Sequence, residues 1–185
     1  FHNTRIYREA YGIFACNGIL FNHESPTRGL EFVTRKISNA VARIKLGLQD
    51  KIRLGNLHAK RDWGFAPEYV RAMWMILQHN TPDDFVVAMG ETHAVSEFVQ
   101  LAFEMAGLDW EKYVIIDEEL LRPHDVESLC GDPAKIKTEL GWEYHTKFRD
   151  LVDIMVEADT ERWKHQLDGT PIVWDAPSYS DGLKI

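Results

Sequence analysis

Ile13-Phe14-Ala15-Cys16-Asn17-Gly18-Ile19-Leu20, running on into Phe21-Asn22-His23-Glu24-Ser25-Pro26-Thr27-Arg28-Gly29, is the stretch on which the fold turns. Its first half is apolar with little alternation, the pattern of a strand buried on both faces. Its second half is polar and punctuated by Pro and Gly, which marks a loop. Before it, residues 3–11 read as the tail of a helix, with Ile6 and Ala10 on one side and Gly12 placed to stop it. After it, residues 31–46 follow a helical period in which Phe32, Val33, Ile37, Ala40, Val41, Ile44 and Leu48 share a face and Gly47 ends the run. Helices alternating with a doubly buried strand indicate an α/β chain with parallel strands.

The rest of the chain continues the alternation. Ile52-Arg53-Leu54-Gly55 is a brief strand, and 56–65 reads as a loop containing Arg61-Asp62-Trp63-Gly64. Pro67 opens a helix at its first turn, with Val70, Met73, Trp74 and Leu77 as the apolar face. Phe85 to Met89 is a strand, 94–106 an amphipathic helix closed by Gly107, and Tyr113 to Ile116 another strand. Asp132-Pro133 supplies an N-cap and a Pro at N1 for a short helix to Leu140. A long helix spans about 147–167, and 168–185 shows no period and reads as an irregular tail.

Composition narrows the function classes. A chain of 185 residues with 45% hydrophobic content is enough for one ordinary domain or for the back half of a larger one. No apolar run of ~18 residues is present to span a membrane, and the N-terminus lacks the apolar core of a signal peptide. Cys16 and Cys130 sit in apolar sequence and read as buried free thiols in a reducing cytosol, giving a cytoplasmic expectation. The excess of 29 acidic over 21 basic residues speaks against a nucleic-acid surface. Residues 27–62 nevertheless hold nine Lys or Arg against three acids, an island suited either to a small polyanion such as a nucleotide diphosphate or to a solvated helix face. The eight histidines show no metal-ligand spacing, and no Gly-rich phosphate loop follows any strand.

Three clusters carry a resemblance. Asn17-Gly-Ile-Leu-Phe-Asn-His-Glu-Ser-Pro26 with Phe32-Val-Thr-Arg-Lys36 is very similar to GDP-mannose 4,6-dehydratases. Leu54-Gly55-Asn56 with Arg61-Asp62-Trp63-Gly64, and Arg122-Pro123 through Gly131-Asp132-Pro133, resemble extended short-chain dehydrogenases acting on nucleotide sugars more broadly. The resemblance covers roughly residues 5–165. It implies the C-terminal part of an extended short-chain dehydrogenase: residues 1–21 as the tail of a Rossmann-type doubly wound core, 22–167 as a smaller nucleotide-sugar-binding part with elements returning to the core, and 168–185 as a tail. By the family's spacing, the catalytic Tyr-x-x-x-Lys motif ends just before Phe1, so no catalytic residue is expected in this chain and the chain alone is expected to be inactive.

The reaction the resemblance implies is loss of water from GDP-mannose to give GDP-4-keto-6-deoxymannose, with NADP recycled within a turnover and a homo-oligomer as the working form. It assigns His23 and Arg28 to the cofactor, with Thr27 standing where a second Arg is usual. It assigns Asn22, Val33, Lys36, Leu54, Asn56, Arg61, Arg122 and Asp125 to the nucleotide sugar, with Asp125 one methylene shorter than the Glu many members carry. Chemically, Asn22 follows the carboxyl end of a strand, where open α/β sheets place ligands, and Thr34-Arg35-Lys36 lies in the first turns of a helix, which favours an anion. Arg61 can fork onto a diphosphate, with Asp62 placed to orient it, and a His can donate to the cofactor. Trp63 and Trp74 read as core. Another nucleotide-sugar epimerase or reductase, or a non-catalytic nucleotide-binding fragment, remain as alternatives.

Overall fold

Short strands joined by long amphipathic helices build the molecule, and the computed structural model describes residues 1–121 and 124–170 of it. In chain order, α1 (His2–Tyr11) stops at Gly12, whose φ of 63° is left-handed and suits a residue without a Cβ. Then come β1 (Gly18–Leu20), β2 (Asn22–Glu24), α2 (Val33–Lys45), β3 (Ile52–Leu54), β4 (Lys60–Arg61), β5 (Trp63–Phe65) and α3 (Ala66–Gln78). The second half holds β6 (Phe85–Val87), β7 (His93–Ala94), α4 (Val95–Ala106), β8 (Val114–Ile116), β9 (Ser128–Leu129), α5 (Ala134–Leu140) and α6 (Phe148–Leu167). The strands pair mostly in parallel: β1 with β6, β2 with β5, β3 with β8 and β4 with β9, while β4 and β7 run antiparallel. Parallel pairs between strands far apart in sequence require helical crossovers, which α2, α3 and α4 supply.

Two apolar clusters hold these elements. In the first, Ile37 and Val41 of α2 meet Phe98 and Phe103 of α4 and Leu151 and Met155 of α6. Ile37, Val41 and Ile44 recur at the spacing of one helix face, as read from the sequence. In the second, Tyr69, Ala72 and Ile76 of α3 pack on Phe85 and Val87 of β6, with Ile136 and Trp142 closing the other side.

Several expectations are corrected. Of the run 13–20 only 18–20 is strand; Ile13, Phe14 and Ile19 are exposed, because β1 pairs only with β6 among the described residues. The α3 face is inverted: Val70, Met73, Trp74 and Leu77 are exposed, Trp74 at 63%, and Tyr69, Ala72 and Ile76 are buried. Trp63 is core, at 3% exposure, and Trp74 is not. Residues 56–65 are not all loop, since Lys60–Arg61 and Trp63–Phe65 each join a parallel pair. Pro133, not Asp132, is the N-cap of α5, although the Asp132 carboxylate accepts from the Ala134 N–H at 2.9 Å. Both cysteines are free, but Cys130 is exposed and Cys16 only half-buried.

Candidate functional site

Just past the ends of β1 and β3 and at the end of β4, the first turn of α2 closes a cavity of about 400 Å³, within the range of small-ligand pockets. Asn22, Val33, Lys36, Leu54, Asn56, Arg61 and Asp125 all line it. Those are the sugar-nucleotide candidates of the sequence reading save Arg122, which lies outside the described residues. They converge from five places in the chain: the carboxyl ends of β1, β3 and β4, the first turn of α2 and the loop before β9. Trp63 forms a wall, buried and stacked face to face on Phe148 at 5.9 Å. Gly55 lets the chain pass close by: a Cβ there would lie 2.6 Å from the Leu120 carbonyl oxygen.

The polar centre is a preassembled trio. Arg61 Nη2 donates to Asp125 Oδ1 at 2.8 Å, and Asn56 Nδ2 donates to Asp125 Oδ2 at 3.1 Å. Arg61 Nη1 donates to the carbonyls of Lys60 (2.8 Å) and Val126 (2.6 Å). Of the five guanidinium donors, the Nε–H and one Nη2–H have no partner among the described residues. Asp125, not Asp62, orients Arg61. Asp62 is fully buried and accepts backbone N–H groups from Met89 (2.8 Å), Gly90 (3.0 Å) and Gly131 (3.2 Å), tying β6 to the loop before α5.

Opposite the trio lies the first turn of α2, whose backbone N–H groups point along the helix axis at its positive end. Lys36 is half-buried without a carboxylate partner among the described residues. The Arg35 side chain turns away from the cavity into the interior, where its Nε meets the Asp159 carboxylate at 2.9 and 3.0 Å. Its partner lies 124 residues on, and no local pattern signals it.

The two cofactor candidates stand outside this cavity. His23 stacks on Tyr69, ring centroids 5.1 Å apart, and its Nδ1 lies 2.8 Å from the Phe21 carbonyl. A carbonyl only accepts, so Nδ1 carries a proton in that contact and Nε2 faces away from it. Arg28 lies over the Phe32 ring at 3.5 Å, and its Nε is 3.3 Å from Glu24 at an angle that makes no hydrogen bond. Glu24, missed in the sequence, is buried; burial raises its carboxyl above the ordinary range, opposed by the Thr34 hydroxyl bonded to it and by Arg28.

Acid–base candidates are few here. Burial, reinforced by Asp62 and Glu24, pushes the Tyr69 phenol far up, so it stays neutral. Tyr144 is also raised by burial and donates to the Met89 carbonyl at 2.7 Å. Neither supplies a phenolate base near neutral pH. Among the described residues no group of three His, Cys, Asp or Glu side chains gathers as a metal site, and no helix is long and apolar enough to cross a membrane.

Parallel strands with helical crossovers and a polyanion-sized cavity at their carboxyl edge define an α/β chain of the extended short-chain dehydrogenase type. Solved structures share that fold: the structure of RMD from Pseudomonas aeruginosa complexed with NADPH (TM-score 0.77, 18% identity, 87% of this chain and 53% of that one). So does dTDP-glucose 4,6-dehydratase from Bacillus anthracis str. Ames in complex with NAD (TM-score 0.74, 17% identity, 88% and 50%). At that identity they establish the fold alone.

The sequence comparisons are more specific. The family profile for GDP-mannose 4,6 dehydratase matches residues 1–155, and the chain belongs to that family. It is 57% identical over 160 residues to GDP-mannose 4,6 dehydratase 2 of Arabidopsis thaliana, covering 86% of this chain and 43% of that protein. The Homo sapiens GDP-mannose 4,6 dehydratase is 49% identical over 172 residues, covering 84% and 46%. The chain thus spans about half the length of the curated relatives it matches.

Proposed function

We propose that this chain is the nucleotide-sugar-binding part of a GDP-mannose 4,6-dehydratase, an NADP-dependent lyase that forms GDP-4-keto-6-deoxymannose and water. The observation that carries the reading is the convergence of Asn22, Lys36, Asn56, Arg61 and Asp125 on one cavity in a chain about half identical to proteins of that name. Within it the free Nε–H and Nη2–H of Arg61 take the diphosphate, assisted by Lys36 and the N-terminus of α2. Asp125 keeps about two of its four lone-pair sites, which accept from ribose hydroxyls. Asn22, whose side-chain amide has no hydrogen bond among the described residues, takes a hydroxyl or diphosphate oxygen.

His23 and Arg28 are the residues of this chain that would hold NADP, and the Arg28 Nε without a hydrogen bond fits a phosphate oxygen. NADP supplies the hydride acceptor and donor. A solved relative in fold holds NADPH. The acid–base and hydride steps are assigned to residues outside these 185, since the sequence contains no Tyr-x-x-x-Lys and the tyrosines at 69 and 144 are held neutral. The two separate apolar clusters support a division between a core-type part built on β1, β6 and α3 and a nucleotide-sugar part built on α2, α4 and α6. Oligomerisation and a cytoplasmic location belong to the same proposal.

Product analysis tests it. The full-length protein, given GDP-mannose and NADP, is expected to release a 4-keto-6-deoxy sugar nucleotide, and the 185-residue chain alone to release none. Positioned proton transfer alone contributes ~10²–10⁴-fold. A 4-epimerised or reduced sugar as the product would transfer the reading to an epimerase or reductase.

A further inference from the structure

The loop that carries Arg28 is gripped from behind by charged groups remote from the cavity. Arg35 Nη1 donates to the carbonyl oxygens of Pro26 (2.6 Å) and Arg28 (2.8 Å), and Arg162 Nη2 donates to the Pro26 carbonyl at 2.6 Å. Both guanidiniums are anchored on one carboxylate. Asp159, 1% exposed, accepts from Arg35 Nε, from Arg162 Nη1 at 2.9 Å and from the Ser38 hydroxyl at 2.6 Å. Charge-assisted bonds of this kind are short and directional, and fixing the carbonyls of Pro26 and Arg28 fixes the backbone around Thr27 between them.

We propose that Asp159, acting through Arg35 and Arg162, is a positioning residue for Arg28, holding the 25–29 loop where that guanidinium meets a cofactor phosphate. The inference rests on the assignment of Arg28 to NADP made above. The geometry has a purpose beyond stability: a buried carboxylate on α6 is not needed to pack α6 on α2, which Ile37, Val41, Leu151 and Met155 already do. Its two guanidiniums end on loop carbonyls, and the Arg28 side chain of that loop lies beside the buried Glu24 and over Phe32, which lines the cavity. Replacing Asp159 by Asn leaves the shape but removes the charge that holds two like-charged guanidiniums side by side, so the grip on Pro26 and Arg28 loosens.

Hydrogen exchange and binding in the full-length protein test this together. The Arg28 N–H is bonded to the Ser25 carbonyl at 3.0 Å and the Phe32 N–H to the Gly29 carbonyl at 3.2 Å. In Asp159→Asn and in Arg162→Gln these amides are expected to exchange about tenfold faster, with the amides of β6 unchanged. The Kd for NADP is expected to rise about tenfold, several times more than the Kd for GDP. Should Asp159→Asn fail to fold, Arg162→Gln, which removes one grip and keeps the carboxylate, carries the test. Unchanged loop exchange in both variants would overturn the proposal, as would NADP and GDP affinities falling together. Arg28→Ala separates the two layers: an unchanged NADP affinity there would overturn the assignment of Arg28 itself, whereas faster loop exchange would still register the grip.

Discussion

At the scale of single residues, the account rests on Asp125 as an orienting group. An acid beside a polyanion site is repulsive by simple Coulomb reasoning, so Asp125→Ala would tighten GDP binding if charge alone mattered. The geometry says otherwise, because Asp125 holds both Arg61 and Asn56 in place. A charge-assisted hydrogen bond contributes ~1.5–3 kcal/mol, and its loss is expected to weaken GDP binding about tenfold in calorimetry; tighter binding would refute the role. That Asp125 and Arg61 belong together was legible in the sequence, because their neighbours Gly64, Gly131 and Pro133 form recognisable patterns, and both line the cavity. Their direct ion pair was not, and Asp62 was the wrong partner: its carboxylate serves three backbone N–H groups contributed by segments 27 and 69 residues away. Sequence adjacency to Arg61 carried no information about where that side chain points.

At the scale of elements, the join of α1 and β1 to β6 depends on Asp84. Its carboxylate takes a two-pronged contact from Arg8 at 2.9 Å and a further bond from Asn17 Nδ2 at 2.7 Å. The Arg8 hydrogen bond holds the carboxyl well below the usual carboxylate range, helped by Asn17 and opposed by burial. A depressed folded-state pKa contributes stability that is fully present above the unfolded value near 3.9 and is lost as pH falls from there through the lower folded value. Denaturation at pH 7 and at about pH 2.5 should therefore show the wild type losing this contribution on acidification. Asp84→Asn should be weaker at pH 7 and lose less over the same window; parallel losses in both would contradict the assignment. Gly131→Ala offers a second check, since its Cβ would lie 2.3 Å from the Ala88 Cβ and 2.8 Å from the Phe21 ring. Overpacking of that kind costs about 1–3 kcal/mol, readable as a lower denaturation midpoint. Helix positions were largely legible because Gly12, Gly47 and Gly107 adopt the left-handed conformation just past their helices. The buried face of α3 was not: Tyr69, Val70, Ala72, Met73, Trp74, Ile76 and Leu77 are apolar nearly all round, so no period selects a side.

For the molecule as a whole, exposed apolar surface and a basic island on a chain of net charge −8 set the behaviour. Val70, Met73, Trp74 and Leu77 form one stripe, and Ile13, Phe14 and Ile19 are also uncovered. Contiguous apolar patches above a few hundred Å² are interaction sites, so the isolated chain is expected to self-associate in light scattering, and Trp74→Lys to reduce it. A monodisperse wild-type chain indistinguishable from the variant would contradict that. The central claim, however, concerns the cavity. Its most direct test is calorimetric titration of GDP-mannose into the full-length protein, comparing Arg61→Ala with Arg149→Ala, whose side chain is exposed and paired with Glu104 at 3.0 Å. The account predicts that Arg61→Ala raises the Kd about tenfold or more while Arg149→Ala leaves it unchanged; equal effects of the two would show that the cavity does not hold the diphosphate.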